Sequence, residues 1–350
     1  MPPSIEMPTP TTMQGIPAAS SAILAAVASH GVGYVLIVTI ILGVFDASSG
    51  RSKLRRISLV LGSGGARGLA HIGVIRCLEE QGYEIGYISG SSIGALIGGI
   101  YAAGKLDEYA EWVSELRRRD VVRLMDWSFR RGAVLSGDRI ISVLRDLVGE
   151  HEIEDLPIGF TAVATEINDK REVWLNRGSL FDAIHASIAM PLVFAPVARD
   201  DLLLVDGGLI NPIPIAPTLN DDTAWTVAVD LNARAEVLNV ADEEPDADGE
   251  SHSPLRNSIL SFIDDLMPAS AKDERETEYP GPFDLALRSL DTMQTTIGRM
   301  KLAAYAPRVI VNIPRNLCTL FEFHRATELI EFGYRRAQQQ IEHLDTSAEG

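Results

Sequence analysis

Gly90-Ser91-Ser92-Ile93-Gly94 is a Gly-x-Ser-x-Gly pentapeptide set between a short apolar strand (87–89) and an apolar helix (95–103). A serine at the tip of a sharp strand-to-helix turn holds strained dihedrals, so its flanking positions need glycine, here Gly90 and Gly94. Its Oγ is expected to project into solvent at the sheet edge, and the N–H groups and dipole of the following helix face any oxyanion formed there. Ser92 is therefore the candidate nucleophile.

Gly62-Ser63-Gly64-Gly65-Ala66-Arg67-Gly68 lies at a second strand-to-helix junction. A dinucleotide fingerprint would read G-x-G-x-x-G, but counting from Gly62 and Gly64 its third position is Arg67. No acid follows at the end of a second strand, and the Gly-Lys-Ser/Thr of a phosphate-binding P-loop is missing. Gly64 and Gly65 instead suit a pair of backbone N–H donors to an oxyanion, each worth about 3 kcal/mol in a transition state. Arg67 has two open readings, loop support through carbonyls or carboxylates and contact with substrate.

Asp206-Gly207-Gly208 directly follows the apolar run 202–205. Alone, Asp-Gly marks a turn. At a strand end, backed by the stiff Asn211-Pro-Ile-Pro214 loop, the carboxylate becomes a candidate base. Of the seven histidines, only His252, His324 and His343 follow Asp206 in the Ser–acid–His order of α/β-hydrolases. His252 falls in an acidic stretch, and the other two lie on a terminal helix without turn context. His71 and His185 sit on apolar helical stretches, where a core histidine is the simpler reading. The residues thus offer a Ser–Asp dyad.

The elements that must position these groups follow from periodicity. Apolar runs at 57–61, 160–165, 172–175, 202–205, 226–229 and 308–313 predict strands. Helical spacing predicts helices at 69–81, 106–118, 137–148, 180–189, 283–303 and 324–344. Strand, Gly-rich turn, helix, repeated, is the order of a three-layer α/β/α protein with a mostly parallel central sheet.

Of 350 residues, 46% are hydrophobic, enough for a substantial core, and the net charge of −17 argues against nucleic acid. Between Ala241 and Asp284 there are 13 acids and 3 bases, so 236–282 reads as an acidic surface insertion, partly disordered. The expected organisation is an N-terminal extension (1–50), a core (55–235), this insertion and a completing segment (283–345). Cys77 and Cys318 show no metal or disulfide spacing.

From Met7 to Phe45 no Asp, Glu, Lys or Arg occurs, and 18–45 is long enough for a membrane span of about 20 residues. Arg51, Lys53, Arg55 and Arg56 follow, which would keep the bulk of the chain on the cytoplasmic side of a membrane. A surface-lying stretch and a start placed too early are the competing readings.

Taken in order, the Gly-rich loop with arginine, G-x-S-x-G and D-G-G resemble the patatin-like phospholipase family. Ala186-Ser-Ile-Ala-Met-Pro191, Phe194-Ala-Pro196 and the block Asp206–Pro214 extend the resemblance. Leu124-Met-Asp126, Arg131-Gly132, Thr161–Thr165 and Phe323-His-Arg-Ala326 resemble its bacterial RssA-like branch. The resemblance covers 55–235 strongly, 283–345 more weakly and 1–50 not at all. It departs where Ser63 replaces the first glycine of a motif ending at Gly68. The resemblance implies Ser92 as acyl-accepting nucleophile, Asp206 as base, an oxyanion hole of Gly64, Gly65 and Ser63, and Arg67 as its support. It implies fatty-acyl esters of glycerophospholipids or lysophospholipids as substrates at a membrane surface, with no metal or organic cofactor. The branch implies a second possibility, a regulatory module that binds a protein partner.

Overall fold

The computed structural model describes residues 55–124, 135–237 and 281–347. The expected span at 18–45, the acidic stretch 238–280 and Asp126, Arg131 and Gly132 lie outside the described residues. Among the described residues no helix is long and apolar enough to cross a membrane.

Eight strands form one sheet: β1 (Arg56–Leu61), β2 (Glu84–Ser91), β3 (Gly159–Glu166), β4 (Arg171–Leu175), β5 (Val197–Arg199), β6 (Leu202–Asp206), β7 (Trp225–Ala233) and β8 (Val309–Pro314). The pairs β1–β2, β1–β7, β2–β3 and β7–β8 are parallel, and β3–β4, β3–β6 and β5–β6 antiparallel. The helices are α1 (Ala70–Glu80), α2 (Ile93–Ala102), α3 (Leu106–Ser114), α4 (Arg118–Leu124), α5 (Asp138–Val148), α6 (Leu180–Ile188), α7 (Pro282–Tyr305) and α8 (Ala326–Ser347). The single helix expected at 106–118 stops at Ser114, and α4 starts afresh at Arg118.

Period two along β1 makes the sheet two-sided. Ile57, Leu59 and Leu61 enter the large core shared with α1, α2, α6 and α8. Val60 points the other way, to Ile213, Ile215 and Ala228, where Leu302 and Tyr305 of α7 close over them. Helices thus cover both faces, giving the mixed α/β architecture with a mostly parallel sheet. On the first face α1 and α8 cross backbone to backbone. A Cβ on Gly73 would sit 1.9 Å from the Ile330 carbonyl oxygen, and one on Gly333 2.0 Å from that of Ala70.

Register decides what meets what. Leu61 pairs with Gly90 on one side and Val229 on the other, so the Gly-rich loop leaves the sheet beside the serine turn. β4 occupies one edge of β3, leaving β2 and β6 to share the opposite edge. β2 covers it to Val163 and β6 takes over at Ala164 from the other direction. Ser91 and Asp206, the C-terminal residues of two strands running head to head, are thereby neighbours.

Candidate active site

Ser92 has φ 56° and ψ −126°, a left-handed conformation for a residue with a side chain, as the pentapeptide implies. The glycines serve close approach. A Cβ on Gly90 would lie 2.4 Å from the Gly94 carbonyl oxygen, and one on Gly94 2.0 Å from that of Leu61. The strained turn is clamped by Ser187 of α6, whose Oγ accepts from the Ser92 N–H (3.0 Å) and donates to the Val163 carbonyl (2.6 Å). Ser187 lies in the Ala186–Pro191 segment, and its part in the turn was not legible from its type. Far from projecting into solvent, Ser92 is 7% exposed.

Asp206 is buried, and both carboxylate oxygens are held. Oδ2 accepts from Ser92 Oγ at 2.5 Å and Oδ1 from the Gly208 N–H at 2.6 Å. Its backbone is fixed by its N–H to Ala189 O (2.9 Å) and by Thr165 Oγ1, which donates to its carbonyl (2.9 Å). Gly207 fits the head-to-head junction because a Cβ there would lie 2.0 Å from the Val163 carbonyl oxygen; one on Gly208 would meet Ser63 Oγ at 2.7 Å. Burial pushes the Asp206 carboxyl up to about 6, against the two hydrogen bonds that favour its ionised form. The Asn211–Pro214 loop is anchored by Asn211, which donates to the Glu172 carboxylate.

In the Gly-rich loop the Ser63 N–H already donates to the Pro212 carbonyl (2.9 Å), which corrects the expectation of Ser63 as an oxyanion donor. Gly64 and Gly65 have no acceptor for their N–H groups among the described residues. Gly65 requires glycine, with φ 57° and a would-be Cβ 2.4 Å from Leu320 Cδ1. Gly68 packs on Ile93. The Gly62 N–H donates to Val229 O (3.2 Å), and its carbonyl accepts from Nε2–H of His71 (2.9 Å). Burial holds His71 near pKa 4, so the ring is neutral and belongs to the core. Arg67 donates to the Arg315 carbonyl (2.8 Å) and to Asn232 Oδ1 (2.9 Å), the loop-supporting alternative.

His185 lies against the Ser136 carbonyl and His324 against Arg118. Among the described residues no histidine hydrogen-bonds Ser92 or Asp206. The His252 and His343 side chains lie outside the described ones.

Two cavities meet at the Ser92–Asp206 pair. One, of about 150 Å³, is almost wholly apolar, walled by α3, α5 and the 320–323 segment with residues such as Trp112, Leu116, Ile140, Leu144 and Phe194; Gly65 lies on its wall. The other, of about 710 Å³, has a mixed lining, more polar than the first, and is walled by Gly64, α7 and residues 315–325. Gly65 lines the first cavity and Gly64 the second, so the Gly-rich loop runs along their boundary. An acyl chain fits the first and a polar remainder the second. A hydroxyl bound to a buried carboxylate between them has the layout of an α/β ester hydrolase.

Residues 59–219 match the family described as patatin-like phospholipase. An NTE family protein of Mycobacterium tuberculosis is 38% identical over 334 residues, covering 83% of this chain and 92% of its own. A patatin-like phospholipase domain-containing protein of Caenorhabditis elegans is 34% identical over 204 residues, 54% of this chain and 15% of its own. Lysophospholipase nte1 of Emericella nidulans is 26% identical over 314 residues, 86% of this chain and 19% of its own. The chain belongs to the patatin-like phospholipase family and is a lipid ester hydrolase. These relatives do not single out the RssA-like branch.

Proposed function

We propose that this protein hydrolyses fatty-acyl ester bonds of phospholipids or lysophospholipids, with Ser92 as nucleophile and Asp206 as general base. The 2.5 Å bond from Ser92 Oγ to a buried carboxylate, at the meeting point of an apolar and a more polar cavity, is the observation that carries the reading. The Emericella nidulans relative, a lysophospholipase by name, supports the same substrate class.

Ionised Asp206 takes the Ser92 proton as Oγ attacks the ester carbonyl. The oxyanion accepts from the Gly64 and Gly65 N–H groups. Collapse breaks the ester bond, and the departing alcohol leaves with the proton from Asp206. Water then attacks the acyl-enzyme and gives its proton to Asp206, which returns it to Ser92 as the fatty acid departs. Access to bilayer substrate is supported by the charge-free run at 18–45, read as a membrane attachment.

A fluorophosphonate probe tests the core of this reading. It should label the wild-type chain and leave Ser92→Ala unlabelled and inactive on p-nitrophenyl esters; equal turnover by Ser92→Ala would refute it.

A further inference from the structure

The more polar cavity contains more charge than the acyl chemistry uses, and its acids are already engaged. Asp206 holds Ser92 (2.5 Å), Asp291 faces Arg67 Nη2 (3.8 Å), and Glu322 binds Arg325 (3.0 Å). Arg67 and Arg325 are thereby accounted for. Two further cations line the same cavity, Arg288 on α7 and Arg315 just after β8. Among the described residues neither guanidinium has a hydrogen-bond or ion-pair partner.

Both are mounted on fixed backbone. Leu287, Arg288, Leu290, Asp291 and Gln294 line the cavity at three- and four-residue spacing, one face of α7. The Arg315 backbone is tied at both ends: its N–H donates to Ala233 O (3.1 Å) and its carbonyl accepts from Arg67 Nη1 (2.8 Å). Two exposed guanidinium groups with no counter-ion among the described residues, on a cavity that adjoins an apolar one, match a ligand with an anion at one end and a hydrocarbon chain at the other. Guanidinium forks suit the oxygens of a phosphate, which they bind bidentately.

Resting on the proposed Ser92 chemistry, we infer that Arg288 and Arg315 form a subsite for the phosphate of a lipid head group and select phospholipid over neutral acylglycerol esters. Their positions on α7 and after β8 fall outside residues 59–219, the part that matches the family.

The test compares two substrates with the same acyl chain, 1-oleoyl-lysophosphatidylglycerol and 1-oleoylglycerol, so that the apolar cavity contributes equally to both. The wild-type ratio of kcat/KM should favour the phosphate-bearing lipid. Arg288→Gln and Arg315→Gln should each lower that ratio about tenfold, mainly through KM, as expected for loss of one hydrogen-bonded charge. The matching Lys variants should retain part of it, which a merely structural role would not produce. A wild-type ratio near one, or a ratio unchanged in the double Gln variant, overturns the subsite while leaving Ser92 chemistry standing. Competitive inhibition by inorganic phosphate without any preference for the phosphate-bearing lipid overturns the head-group assignment in favour of a free anion. Failure of the wild-type chain to hydrolyse either lipid overturns this inference and the proposed function together, and Ser92 labelling tells that case from the others.

Discussion

At the scale of single residues, Asp206 sets the pH behaviour. Only the ionised carboxylate can take the Ser92 proton, and burial holds its pKa near 6. The kcat/KM profile should therefore rise with pH through about 6 and level off above it; an acid limb near the ordinary carboxylate value of about 3.9 would refute the assignment. Stability runs the other way. Because the folded pKa is raised, the stability linked to protonated Asp206 is fully present below the unfolded value and is lost as pH rises through about 6. The loss is on the order of 3 kcal/mol for a buried carboxyl raised this far. Asp206→Asn removes the buried charge, so it should raise the melting temperature at pH 7.5 while lowering hydrolysis about 10²–10⁴-fold. A variant that is both inactive and less stable at that pH would mean that Asp206 is needed chiefly for folding. Gly65 belongs to the same scale. With φ 57° and Leu320 against it, Gly65→Ala must displace the loop and its N–H group. We expect kcat to fall about 10²–10³-fold and KM to change far less, because an oxyanion contact strengthens only in the transition state. A rise in KM alone would remove Gly65 from that role.

At the scale of elements, the apolar cavity depends on how α3 and α5 are held over α2. The elbow requires a sheet end, and the acyl chain requires helices that stand away from it. Ile140, on α5, lines this cavity without being fully buried, so a larger side chain there has room to grow into the void. Ile140→Trp should lower kcat/KM for long-chain relative to butyryl p-nitrophenyl esters about tenfold or more. An unchanged ratio would show that the chain lies elsewhere. Much of this scale was legible in the residues. The apolar runs at 57–61 and 202–205, and the glycines that follow them, marked the right strands and turns within a residue or two. The break between α3 and α4 was not legible, since Glu115, Leu116 and Arg117 are all compatible with helix, and three-residue β5 is too short to show a period.

At the scale of the whole molecule, the question is where the hydrolase meets its lipid. The bases Arg51, Lys53, Arg55 and Arg56 lie between the charge-free run and β1, so an anchor there would hold the catalytic unit within about ten residues of a bilayer surface. Tethering raises the effective concentration at the membrane that contains the substrate. The full-length chain should stay with membranes through a carbonate wash, and a chain beginning at Arg51 should be released yet equally active on micellar ester. Release of the full-length chain would rule out an integral anchor. The net charge of −17 gives anionic bilayers no general attraction to the protein, so release of the full-length chain by the wash would leave general electrostatic attraction a poor substitute for an anchor.

The amino-acid sequence alone determined the elements and the chemistry each could support. Ser92 stands between two glycines, Asp206 ends an apolar run, and a glycine-rich turn follows the first strand, all set by local backbone requirements that neighbouring residues reveal. Only the tertiary structure decided that Ser92 and Asp206 touch, because that depends on β2 and β6 meeting head to head along β3. The same long-range register commits the Ser63 N–H to Pro212 and sets Ser187 under the elbow. Each of these facts turns on residues more than 80 positions apart, and none is written in local spacing. A turn can be read from four or five neighbours; a hydrogen bond across the sheet exists only once the core has set the distance.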